Sequence, residues 1–168
     1  MKYWLSIGSN IEPRIWYVRK ALEFISELSY ILKISSVYES ESYGFESYDF
    51  INVCALIDTE LFPETLLRFL KRIEVRLGRD IVKVYPERFF FKSRPVDIDV
   101  ILWENGVYEN EGTIVIPHPE FHRRKFVLIP LIEMGEDVIH PIFMKRLSEI
   151  LSEVDDSSWI IKIMDSLF

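Results

Sequence analysis

The apolar positions of this chain change their period several times, and each change predicts an element. Residues 3–7 form a short, mostly apolar run, as in a buried strand, and Gly8-Ser9-Asn10 turns the chain. Pro13 suits the first turn of a helix, in which Ile15, Val18, Leu22 and Ile25 recur at helical spacing through about Leu28. A strand is expected over 31–38, a polar loop carrying Gly44 over 39–49, and a second apolar strand over 50–58. Pro63 opens another helix, with Leu66, Leu70, Ile73 and Leu77 on one face and Gly78 as its stop. After a loop over 79–93, a strand is expected over 96–103. Asn105-Gly106 then signals a hairpin whose return strand reaches about Tyr108. The remainder predicts a short strand over 113–116, helices over about 127–134 and 144–153, and a last strand over 159–163.

The order β-α-β-β-α-β is the split βαβ pattern of ferredoxin-like folds. The expectation is one α+β domain over 1–168: a mainly antiparallel sheet covered by helices, extended at its C-terminal end into an αβα sandwich. A chain of 168 residues can bury a core of its own without staples. Its single cysteine, Cys54, excludes an internal disulfide framework and a cysteine-rich zinc site, and it reads as a buried, inert thiol in an apolar strand. No charge-free apolar stretch approaches the roughly 18 residues of a membrane span, and the first residues lack a signal-peptide pattern. A cytoplasmic chain that uses no membrane is expected. The net charge of −7 argues against a nucleic-acid partner, which would require a basic face.

Against that acidic background, two segments are basic. Residues 79–94 hold five basic side chains (Arg79, Lys83, Arg88, Lys92, Arg94) against Asp80 and Glu87, and Arg123-Arg124-Lys125 follow His118 and His122. Between them lies Arg94-Pro95-Val96-Asp97-Ile98-Asp99. On a strand, Asp97 and Asp99 share a face, roughly 7 Å apart at Cα. Two such carboxylates repel unless a cation lies between them, and Mg²⁺ typically takes one or two carboxylates plus substrate phosphates. A solvent-facing edge strand could carry the same two acids. The flanking basic arms favour the first reading, because arginines and a metal together neutralise charge in phosphoryl transfer.

His118 and His122 have zinc-like spacing, but Pro119 intrudes and further ligands are lacking. His118 reads better as a phosphate hydrogen-bond donor, and His140 as structural. Gly8-Ser9-Asn10 could cradle a phosphate; without a Gly-Lys-Ser sequence, a tight turn with a side-chain cap is the better reading. Asn52, in the apolar run Phe50-Ile51-Asn52-Val53, is either a paired core amide or a partner for the edge of a heterocycle, with Phe50 on the same face.

Taken in order, these motifs resemble the 6-hydroxymethyl-7,8-dihydropterin pyrophosphokinase family. The matching pieces are Ile7-Gly8-Ser9-Asn10, Phe50-Ile51-Asn52-Val53, Glu74 with Leu77-Gly78-Arg79, Arg94-Pro95-Val96-Asp97-Ile98-Asp99, Ile116-Pro117-His118-Pro119, and the segment from Arg124-Lys125-Phe126 to Leu131. About the last 25 residues match only loosely. The resemblance implies transfer of the β,γ-pyrophosphoryl group of ATP to a pterin hydroxymethyl group, with two Mg²⁺ ions held by Asp97 and Asp99. It implies that Arg79 and Arg94 assist transfer and that His118 and Arg124 contact phosphate. Lys71 and Glu74 would line the nucleotide side. On the pterin side it implies Ser40 and Asn52 as hydrogen-bonding groups, Tyr43 in the adjoining loop, Phe50 and Phe126 as walls, and Phe91 in the 79–93 loop, which would act as a lid. The implied partners are ATP and the pterin alone, and the implied state is a monomer.

The chain departs from the family pattern at Glu41-Ser42-Tyr43-Gly44, at Phe50 where tyrosine is frequent, at Lys71 for glutamine, and at Phe89-Phe90-Phe91 in the loop. A magnesium-dependent nucleotidyltransferase and a non-catalytic ferredoxin-like binding module are the rival readings.

Overall fold

The computed structural model describes residues 1–42, 48–78, 94–110 and 114–168. Along the chain run β1 (Lys2–Ser9), α1 (Arg14–Ile25), β2 (Tyr30–Ile34), β3 (Val37–Ser40), β4 (Phe50–Asp58), α2 (Pro63–Arg76), β5 (Asp97–Trp103), β6 (Tyr108–Asn110) and β7 (Ile114–Ile116). A 3-10 turn (Phe121–Arg123), α3 (Lys125–Glu133), α4 (Leu147–Glu153) and β8 (Ile160–Met164) complete it. The main sheet has the order β5-β1-β4-β3-β8, with β2 also on β4, and every pairing in it is antiparallel. This is the expected βαββαβ sheet, with its second strand in two pieces and β8 added at one edge.

Strand periodicity sorts the core into two layers. Tyr3, Leu5 and Ile7 of β1, Ile51, Val53, Ala55 and Ile57 of β4, and Ile98 and Val100 of β5 pack with Val18, Leu22 and Ile25 of α1 and Leu66, Leu70 and Ile73 of α2. On the opposite face Trp4, Cys54, Leu56, Ile101 and Leu102 pack with Phe121, Val127, Leu128, Leu131, Leu147 and Ile150. A strand covered on both faces is apolar throughout, which is why β4 reads as a continuous run. Leu102 joins the second layer out of phase because the β1–β5 register shifts between Trp4 and Leu5.

Four elements differ from expectation. The strand expected over 31–38 breaks at Ser35-Ser36. The Ser35 backbone N–H bonds the Cys54 carbonyl at 2.9 Å while its hydroxyl accepts from the Cys54 N–H, also at 2.9 Å, so a side chain replaces part of the ladder. Helix α1 ends at Ile25, short of Leu28, where Ser26 and Ser29 hydroxyls donate to the carbonyls of Glu23 and Ile25. Helix α4 begins at Leu147 rather than near 144, since Met144 has φ +56° and the chain closes a loop around His140.

The fourth difference is the hairpin. The Asn105-Gly106 turn forms, with Gly106 at φ +93° and its N–H bonded to the Trp103 carbonyl, but the returning β6 pairs with β7 and not with β5. The outer edge of β5 is already occupied. The Glu74 carboxylate accepts from Ile98 N–H, and His118 N–H donates to the Ile101 carbonyl.

Candidate active site

Asp97, Asp99, Asn52, Ser40 and Phe50, singled out from the sequence, share one end of the sheet face that α3 covers. Residues directly opposite in an antiparallel pair share a face, and the register gives the row Asp97 (β5), Gly8 (β1), Asn52 (β4), Tyr38 (β3). The next positions on that face are Asp99 beside Ser6 in one direction and Phe50 beside Ser40 in the other. The acid pair and the amide are thus separated by a single residue, a glycine. A Cβ on Gly8 would meet Asn52 Oδ1 at 3.5 Å and Phe50 Cδ1 at 3.6 Å, so any side chain there would fill the floor between the two halves of the site. Glycine within a strand marks such close approaches, a signal that the turn reading of Gly8 overlooked.

Two guanidinium groups and an imidazole face the acid pair. Arg94 Nη1 donates to Asp97 Oδ1 at 3.0 Å; Arg124 Nη1 and His118 Nε2 lie 3.7 and 3.8 Å from Asp99 Oδ2. The two carboxylates remain 29% and 28% exposed, enough to accept a ligand. His118 is placed by the backbone bond to Ile101. Its Nδ1 accepts from the Glu120 N–H, which leaves Nε2 to carry the proton that faces Asp99. Burial pushes the His118 imidazole below its ordinary pKa and Arg124 adds to this, against an upward pull from Asp99. Arg124 precedes α3, and its buried Nε has no hydrogen-bond partner among the described residues. An unpaired guanidinium N–H on an arginine beside the Asp99 carboxylate suits an anionic ligand.

On the other side of Gly8, Asn52 is 3% exposed and its Nδ2 donates to Ser40 Oγ at 2.9 Å. Phe126, in the first turn of α3, is half-buried against the second core layer, and Arg124 Cζ stands 5.9 Å from its ring centre. Cys54, whose thiol burial raises far above its ordinary pKa, is held under α3 by the Val127 carbonyl.

Glu74 is fully buried and pairs with Lys71 Nζ at 2.7 Å on the outer edge of β5. The segment Gly8-Ser9-Asn10 was expected to be a tight turn with a side-chain cap, but Gly8 and Ser9 belong to β1. Asn10 Oδ1 accepts from the Arg94 N–H at 2.8 Å across 84 residues, tying the end of β1 to the start of the acid segment. At the start of α1 it is Glu12 whose carboxylate accepts from the first helical N–H, that of Arg14, at 3.2 Å. Arg79, Tyr43 and Phe91, and with them the loop expected to act as a lid, lie outside the described residues.

The donor set fits magnesium and not zinc. Asp97 and Asp99 offer hard oxygens and leave most of a coordination shell to phosphates and water. Among the described residues no group of three His, Cys, Asp or Glu side chains forms a protein cage. No helix among them is long and apolar enough to cross a membrane.

With this geometry in place, comparison with known proteins gives a consistent answer. A 2-amino-4-hydroxy-6-hydroxymethyldihydropteridine pyrophosphokinase of Aquifex aeolicus is 39% identical over 151 residues, 89% of this chain and 90% of that one. The protein of the same name from Haemophilus influenzae is 36% identical over 82% of this chain and 84% of its own length. A solved HPPK-DHPS chain of Plasmodium falciparum matches 90% of this chain with a TM-score of 0.70 at 13% identity, a likeness of fold, and this chain spans 44% of it. The family described as 7,8-dihydro-6-hydroxymethylpterin-pyrophosphokinase matches residues 4–136. That stretch contains the whole row from Asp97 to Asn52 and the α3 residues above it, and the chain belongs to this family.

Proposed function

We propose that the chain moves the β,γ-pyrophosphoryl group of ATP onto the hydroxymethyl oxygen of 6-hydroxymethyl-7,8-dihydropterin. The observation that carries this reading is the row Asp97–Gly8–Asn52, which sets an acid pair flanked by two arginines and a histidine across one glycine from a buried amide. The hydroxymethyl oxygen forms a bond to the β-phosphorus and loses its proton. The bond from that phosphorus to the α–β bridging oxygen breaks, and AMP leaves with the electron pair.

Asp97 and Asp99 are the residues that would hold Mg²⁺, two ions by the family resemblance. When bound, the metal neutralises phosphate charge and orients the transferred group. Arg94, Arg124 and His118 present N–H donors to the same phosphates, and Arg79 joins them in the family pattern. Such donors act mainly by electrostatic stabilisation as charge moves to the leaving oxygen. Lys71 belongs to the nucleotide side by resemblance, and Glu74 pairs with it from a fully buried position. Asn52 and Ser40 hold the polar edge of the pterin. Phe50 and Phe126 enclose its faces, with Tyr43 and Phe91 assigned to the same pocket by resemblance. A monomer working in the cytoplasm is the state the family resemblance implies.

The experiment is product identification after incubation with ATP, Mg²⁺ and the hydroxymethyl dihydropterin. Equal amounts of AMP and pterin diphosphate are expected. Release of free pyrophosphate with a nucleotidylated product would establish nucleotidyl transfer instead.

A further inference from the structure

The outer edge of β5 carries a buried charge that the reaction does not itself require. Glu74 is 0% exposed, and its Oε1 accepts from Ile98 N–H at 2.8 Å and from Lys71 Nζ at 2.7 Å. Lys71 Nζ also reaches the Ile98 carbonyl at 3.4 Å. Ile98 is the residue between Asp97 and Asp99, and its side chain points the other way, into the core under α2. A carboxylate is costly to bury unless it is paired and hydrogen-bonded, and Lys71 and Ile98 meet both needs. A bond from a backbone N–H to a charged acceptor is roughly twice as strong as one to a neutral acceptor.

The helix that supplies this pair is itself anchored. Leu66, Leu70 and Ile73 of α2 are buried in the first core layer, so Glu74 transmits the position of a packed helix to the strand edge. On the inner side, β5 is held by β1, with Asp97 opposite Gly8 and Asp99 opposite Ser6. Ile98 is therefore gripped from outside at the point where any twist of the strand would splay the two carboxylates.

We infer that Glu74 is a positioning residue: with Lys71 it clamps the backbone at Ile98 and sets the directions in which Asp97 and Asp99 present their oxygens to the metal. This rests on the reading of Asp97 and Asp99 as metal ligands. It assigns Glu74 an action through the strand, where the family resemblance alone would have it touch the nucleotide. Groups that orient metal ligands typically matter by about 10–100-fold in metal affinity or activity.

The test uses the full chain as wild type, Glu74→Leu, Glu74→Gln and Asp99→Asn, each checked for a cooperative thermal transition. Mn²⁺ affinity is measured by electron paramagnetic resonance with a non-hydrolysable ATP analogue. Amide exchange at Ile98 is followed by NMR, and binding of the metal-free analogue by calorimetry. In Glu74→Leu, Mn²⁺ affinity should fall about tenfold, Ile98 exchange should accelerate, and metal-free analogue affinity should hold. Glu74→Gln, which keeps an acceptor for Ile98 N–H, should recover part of both losses. Should the leucine variant fail to unfold cooperatively, the glutamine variant carries the same comparison, with a smaller fall in Mn²⁺ affinity expected. Unchanged Mn²⁺ affinity and Ile98 exchange in the folded Glu74 variants overturn the inference, and weakened metal-free analogue binding in them would mark Glu74 as a nucleotide contact. Asp99→Asn separates the two readings: if it leaves Mn²⁺ affinity unchanged, the metal assignment itself has failed.

Discussion

Asn52→Leu divides the two roles a buried amide can have. Leucine keeps much of the volume but removes the Nδ2 donor that reaches Ser40 Oγ at 2.9 Å and the Oδ1 acceptor beside Gly8. Ser40 is 2% exposed, so its hydroxyl loses a partner that water does not readily replace. An unsatisfied buried polar group costs about 1–3 kcal/mol, and stability should fall by that amount. The same acceptor is assigned to the pterin edge, so the ligand loses a hydrogen bond in a closed slot. A further loss of about 1–3 kcal/mol corresponds to roughly 5- to 150-fold in Kd. Calorimetry of pterin binding in the presence of a non-hydrolysable ATP analogue measures the second quantity, and thermal denaturation the first. Affinity for the analogue itself should not change. A variant that is less stable yet binds the pterin as tightly as wild type would show that Asn52 only supports the sheet.

Arg94→Ala should lower kcat more than it raises KM, by about 10²–10³ for one lost donor to the developing charge, and a rise in KM alone would mean ground-state binding only. Acid should destabilise the fold through His140. Its Nδ1 accepts the Ile142 and Phe143 N–H groups, its ring stacks between Phe121 and Phe143, and burial, with His122 nearby, lowers its pKa. A histidine kept neutral in the fold contributes stability above its unfolded pKa of about 6.5 and loses it as pH falls below that value. His140→Asn, which can accept the same N–H groups without titrating, should flatten the decline of melting temperature with acid; an unchanged slope refutes the assignment. Cys54 should react with thiol reagents only as fast as the protein opens, because burial raises its pKa and closes access, and rapid labelling of the folded protein would contradict this.

The parts of the site set by strand period were legible from the sequence. Alternation alone put Asp97 and Asp99 on one face and Ile98 on the other, and Asn52 with Phe50. What alternation cannot give is register. That Gly8 stands between Asp97 and Asn52 depends on β1 pairing with strands about 45 and 90 residues away in sequence, and no local signal records it. The bond from the Arg94 N–H to Asn10 Oδ1 is hidden for the same reason, since its two residues lie 84 apart and local propensity records only the turn. The misplaced return strand followed from a correct turn. Asn105-Gly106 bends the chain as its residues dictate, but whether the returning segment pairs with β5 depends on the edge being open, and the His118 N–H occupies it at Ile101, with Glu74 further along at Ile98. Ser35, an ordinary strand residue by position, breaks a strand because its hydroxyl substitutes for a ladder partner.

The central claim is that Asp97 and Asp99 together carry the phosphoryl chemistry. It is tested most directly by a single-turnover experiment with excess enzyme, β-labelled ATP, Mg²⁺ and the hydroxymethyl dihydropterin, stopped at successive times for wild type, Asp97→Asn and Asp99→Asn. The label should pass to the pterin in step with AMP formation in the wild type. In each folded variant the rate should fall by at least about 10³, since uncompensated phosphate charge is worth several kcal/mol in the transition state. A near-wild-type rate of label transfer in either variant would contradict the account.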